Sequence, residues 1–175
     1  ALIGFMIYKD QVYVSGGSPV LKRLHIRERQ GPGLKIANGA NLVINDLAVK
    51  SNNNNKSSGN INQHGGGIQI GGSTVTLNNA IIDSNASYVG GGYYGGGLYS
   101  SGGSHITITN SQINDNASDR GGGIYSTNDS SFTLTNVSVL RDSTTSDGGG
   151  LYFDGTINPI LLSNVSVQDN ISNNG

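Results

Sequence analysis

Asp115, Arg141 and Asp169 recur at one place in three successive repeats of this sequence, with Ser84 one repeat earlier. Stacked in register at about 4.8 Å per layer, the two carboxylates would stand about 9–10 Å apart with a guanidinium between them. Paired carboxylates can act as acid and base in sugar cleavage. The intervening Arg141, however, would keep both ionised and leave no general acid, and charges of alternating sign make a stabilising cross-strand ladder. A second set is Tyr99, Tyr125 and Tyr152, each following a glycine marker, with Tyr88, Tyr93 and Tyr94 nearby. Outward rings there are a candidate face for a glycan or a partner protein, or they stack on one another. Thr107/Thr109 and Thr133/Thr135 form only two matched rows, which is what exposed strands prefer anyway. His25, His64 and His105 fall at different repeat positions, so neither a metal cluster nor a Ser-His-Asp arrangement is expected. No catalytic residue, metal or cofactor is expected.

These residues are positioned by an internal repeat. Gly-Gly-Gly followed by Ile or Leu begins at Gly65, Gly95, Gly121 and Gly148. Between the markers lies a shared segment, with copies at Leu42–Asn52, Val75–Asn85, Ile106–Asn116, Phe132–Asp142 and Ile160–Asn170. Each copy alternates apolar and polar residues with period two, passes a turn residue, and alternates again, the pattern of two short strands meeting at a corner. Stacking the copies gives inward columns such as Ile44, Leu77, Ile108, Leu134 and Leu162. A further column, Leu34, Ile68, Leu98, Ile124 and Leu151, supplies a third strand. The corner positions Asp46, Asn79, Asn110, Asn136 and Asn164 are expected to form a structural ladder, because Asn and Asp tolerate left-handed backbone angles.

A repeat near 27 residues with three strands suits one turn of a parallel β-helix, in which no repeat buries its apolar side alone. That explains a chain of 175 residues with only 34% hydrophobic content and 28 glycines. The formal net charge of −1 argues against disorder, and the absence of cysteine excludes a disulfide scaffold. Residues 1–33 are expected to be an irregular N-terminal capping coil, and residues 34–175 the repeats proper. The array is interrupted at Ser172–Gly175, where another glycine run is due, so further repeats of a longer parent chain or another subunit are expected beyond it. The apolar run Ala1–Ile7 is too short to span a bilayer. Leu2, Ile3, Phe5 and Ile7 are a candidate assembly strand. Residues 1–50 carry seven basic against three acidic side chains, and residues beyond 57 two basic against eight Asp. Opposite signs at the two ends suit end-to-end self-association, and nucleic acid is not an expected partner for lack of interleaved aromatics.

The stretches Gly121–Tyr125 with Phe132–Asp142, and Gly95–Tyr99 with Ile106–Asn116, resemble the repeats of polymorphic outer-membrane proteins and related bacterial surface β-helix proteins. The resemblance covers roughly residues 31–175. It implies an all-β, right-handed parallel β-helix (solenoid) of about five to six coils of three short strands, located extracellularly or at the cell surface. The function so expected is a non-catalytic structural or adhesive repeat protein, a fibre or filament subunit assembling head-to-tail, with a glycan or host surface as a further partner. The alternative is a carbohydrate-active β-helix enzyme or glycan-binding spike.

Overall fold

The computed structural model describes residues 2–54, 64–87, 92–128, 130–155 and 159–174. Among them every regular element is a strand, and every strand pairing is parallel. The largest sheet has seven strands in chain order: β1 (Leu2–Tyr8), β3 (Val20–Arg27), β5 (Asn41–Lys50), β8 (Thr74–Asp83), β11 (His105–Asn114), β14 (Ser131–Leu140) and β17 (Ile160–Gln168). A six-stranded sheet orders β2 (Val12–Ser15), β4 (Leu34–Ala37), β7 (Ile68–Gly71), β10 (Leu98–Ser101), β13 (Ile124–Ser126) and β16 (Leu151–Phe153). A third sheet holds four two-residue strands, β6 (Asn53–Asn54), β9 (Ala86–Ser87), β12 (Ala117–Ser118) and β15 (Ser143–Thr144).

The expected right-handed parallel β-helix of five to six coils is corrected by this arrangement. Three separate parallel sheets, of seven, six and four strands, stand where a single closed solenoid was expected. The composition of each layer differs too. The two short strands expected on either side of the corner are one continuous strand of nine or ten residues from β5 onward. Their continuity has a local cause. Inward positions two apart, such as Leu42 and Ile44, are followed by an inward Leu47 three further on. The extra residue, Asp46, takes a left-handed φ of 61°, which turns the chain so that both halves face the core without breaking the ladder. Equivalent φ values occur at Asn79, Asn110, Asn136 and Asn164, and also at Arg23 and Gly4.

The core lies between the sheets as files of aliphatic side chains. Ile44, Leu77, Ile108 and Leu134 are fully buried and consecutive in register. Leu34, Ile68, Leu98 and Ile124 form a second such file. Ser111 breaks an otherwise apolar file. It is buried with its hydroxyl accepting from the Ala80 backbone N–H at 2.9 Å and donating to Thr109 O at 2.6 Å. Residues 1–33 supply β1, β2 and β3 to the same two large sheets, in register with the repeats that follow.

Candidate functional site

The expected ladder residues are exposed and joined side chain to side chain. Asn79 donates to Asp46 at 2.6 Å, Asn136 to Asn110 at 3.0 Å and Asn164 to Asn136 at 2.8 Å. Asn110 donates sideways to Asn78 at 3.0 Å instead.

A second ladder, which sequence reasoning missed, runs through the interior. Asn52, Asn85, Asn116, Asp142 and Asn170 stand six residues after the five corner positions, a fixed offset that could have revealed them. The first four are buried. Each backbone N–H in this file donates to the next side chain's Oδ1, at 3.1 Å for Asn52 to Asn85, 3.0 Å for Asn85 to Asn116 and 2.8 Å for both Asn116 to Asp142 and Asp142 to Asn170. The third glycine of each marker packs on it. A Cβ on Gly67, Gly97 or Gly150 would come within about 3 Å of Asn85, Asn116 or Asn170. The second glycine meets the backbone of the four-stranded sheet, Gly122 against Ser143 for example. The first, as at Gly95 (φ 69°), needs the left-handed region. The triple glycine is therefore three separate requirements, one of backbone conformation and two of close packing. Asp142 is the one acid in the interior file, and burial pushes its carboxyl up to about 8.

Within the Asp115–Arg141–Asp169 set, Asp115 and Arg141 form an ion pair. Arg141 binds Asp115 through two bonds of 2.8 and 2.7 Å, and this guanidinium holds the Asp115 carboxyl below its ordinary range. An ionised carboxylate cannot donate the proton that a glycosidic leaving group needs.

The tyrosines stack on one another. Tyr125 lies 5.2 Å from Tyr152 and 5.8 Å from Tyr99, with rings within 8° of parallel. Tyr94 covers Tyr125 at 4.5 Å, and His64 inserts against Tyr94 and Tyr99 at 4.9 and 4.5 Å. Tyr125 is only 3% exposed and donates its hydroxyl to Asp154 at 3.1 Å. Burial together with Asp154 raises its pKa, and burial lowers that of His64. Tyr125 thus has no free face for a sugar ring, whereas Tyr99 and Tyr152 are half-buried. Tyr88 lies outside the described residues.

Among the described residues the exposed large hydrophobic side chains lie on or beside the first and last strands of the sheets. Leu162 and Val167 belong to files that are fully buried in the preceding layers, yet they are 51% and 46% exposed on the edge strand β17. Leu151, Phe153 and Val165 are partly buried beside them. The opposite edges are β1 and β2, where Ile7, Val12 and Val14 are partly buried and Met6 and Tyr13 are exposed. The candidate assembly residues Leu2, Ile3, Phe5 and Ile7 all lie on β1 and pair β3 in parallel register. A groove of about 400 Å³ on the outer face near this end is lined by Met6, His25, Arg27, Ala48, Lys50 and Ile81, among others. Among the described residues no helix is long and apolar enough to cross a membrane.

No family model matches this chain, and neither a curated protein nor a solved structure does. Nothing in these comparisons bears on the resemblance to the outer-membrane repeat proteins. The extracellular location and the adhesive role expected from it have no support in the structure or the comparisons, and both are set aside.

Proposed function

We propose that this chain is a non-catalytic structural repeat protein that self-associates end to end. One observation carries the reading: the repeated polar files are spent on structure, with Asp115 held in a two-bond ion pair by Arg141 and Tyr99, Tyr125 and Tyr152 stacked on one another. Parallel strands of one repeat period are templates for further strands of that period, and a second copy of this chain supplies them. The ion-paired Asp115 and the stacked, buried Tyr125 count against the carbohydrate alternative.

Sedimentation velocity over a concentration series tests this. Concentration-dependent growth into larger species is expected, and a single species persisting at the highest concentration would overturn it. A reducing-sugar assay and a glycan array on the same protein address the alternative. Turnover lost on Asp115→Asn or Asp169→Asn would favour the enzyme.

A further inference from the structure

We infer that the groove over Ala48, on the outer face of the seven-stranded sheet, binds a small organic anion with an apolar body, its charged group held by Arg27 and Lys50. This goes beyond self-association and does not depend on it.

The site is built on β3, β5 and β8, each paired on both sides, so it owes nothing to where the chain begins. Arg23, Asp46 and Asn79 make the left-handed corner in these three strands. Two residues past it come the outward positions His25, Ala48 and Ile81, which are direct cross-strand neighbours. Ala48 carries only a methyl group between two longer side chains, which leaves a dent in the face. Beyond Ile81 the same file continues as Gln112, Ser138 and Ser166. Outward positions of this sheet therefore take polar residues without harm to the fold, and the apolar floor is confined to the groove.

Two residues further along the strands, Arg27 and Lys50 are direct cross-strand partners, and like charges so placed repel. Their file passes on to Asp83, Asn114, Leu140 and Gln168, so this is its one adjacent pair of like sign. Lys50 reaches Asp83 at 3.2 Å. The Arg27 guanidinium lies 5.6 Å from the Tyr8 ring, and no carboxylate among the described residues pairs with it. Both cations line the groove. Asp46 lines it too, but on the corner side of Ala48, where it accepts the Asn79 amide at 2.6 Å.

A volume of about 400 Å³ suits a small ligand. An inorganic anion would leave the Ala48–Ile81 floor uncovered, and a neutral apolar molecule would leave Arg27 without a counter-charge. A carboxylate on an apolar chain meets both needs, with the guanidinium as its charge-assisted donor.

Octanoate is the probe, with acetate and octylammonium as controls. Amide NMR shifts at Ala48, Ile81 and Arg27 should saturate with a Kd of about 1 mM or below. Acetate and octylammonium should bind at least roughly tenfold more weakly. Arg27→Gln should weaken octanoate about tenfold, and Arg27→Lys should retain most of the affinity, a rescue that general loss of structure would not give. Ala48→Leu should fill the dent and abolish binding. Gln112→Leu, in the same file but outside the groove, should keep it. No saturation by about 10 mM octanoate, or octylammonium binding equally well, would overturn the inference. So would capture of the protein on vesicles of anionic phospholipid through Arg27 and Lys50 with no binding of free octanoate. None of these results alters sedimentation of the unliganded protein, so self-association stands or falls separately.

Discussion

Asn116 donates its side-chain amide to Asp142 Oδ1 at 2.9 Å, while Asp142 Oδ2, equally buried, has no hydrogen-bond partner. The neighbouring members of this file each use their amide nitrogen to reach a carbonyl one layer back, Asn116 to Ile82 O at 3.1 Å and Asn170 to Val139 O at 3.0 Å. Asp142 therefore sits where an asparagine amide would fit, and it can fill that role only as a neutral acid.

The sign of the resulting pH dependence follows. The folded pKa near 8 lies above the ordinary value of 3.8, so the folded state holds the proton longer. Stability is complete below about pH 4 and falls as pH rises towards 8. Asp142→Asn should remove that slope and stabilise the protein at pH 8 by roughly 2 kcal/mol or more, a Tm rise of about 4–8 °C. Thermal melts of both proteins between pH 4 and 9 check this, and parallel curves would refute the neutral acid.

Gly122→Ala should be among the most damaging single changes in the chain. Its Cβ would lie 2.7 Å from Ser143 O and 2.8 Å from Ser143 N, both rigid backbone. A loss on the order of 4 kcal/mol or failure to fold is expected. Gly71→Ala meets nothing within 4 Å and should stay within about 0.5 kcal/mol of wild type in urea unfolding.

The two asparagine ladders should respond differently. Asn116→Ala removes the acceptor of the Asn85 backbone N–H and side-chain amide, at 3.0 and 3.1 Å, inside the core. It should cost about 3 kcal/mol, since buried donors are left unpaired. Asn110 is exposed at φ 51°. There, alanine should cost about 1 kcal/mol and glycine less, because the hydrogen bonds to Asn78 and from Asn136 are exposed to water and the left-handed angle is the larger part. Equal losses at both sites on chemical denaturation would contradict this division.

Ser111→Ala leaves the Ala80 N–H without its acceptor and should cost about 1–3 kcal/mol. Ser111→Val restores the apolar character of the file but should not recover the loss. Hydrogen exchange at Ala80 reports the same event at residue level, with protection lost in both variants.

Much of the interior was legible in the residues themselves. Period-two alternation repeated five times determines which side chains are inward and which copies share a register, because a one-residue slip would expose every file. Hence Leu77, Ile108 and Leu134 are buried neighbours, and Asn79, Asn110 and Asn136 share a left-handed turn. Other features depend on contacts between layers that no local pattern encodes. Two-residue strands such as Ala86–Ser87 are too short to show a period, so the third sheet was invisible, as was the division into three sheets of unequal size. Tyr125 alternates like Tyr99 and Tyr152, but Tyr94, thirty-one residues before it in sequence, buries it. Nothing local in the sequence marks Asp142 as ionically costly; its burial among the neighbouring layers does. Side-chain type and spacing decided which way each residue points; the distance between backbones in successive layers decided what it meets there.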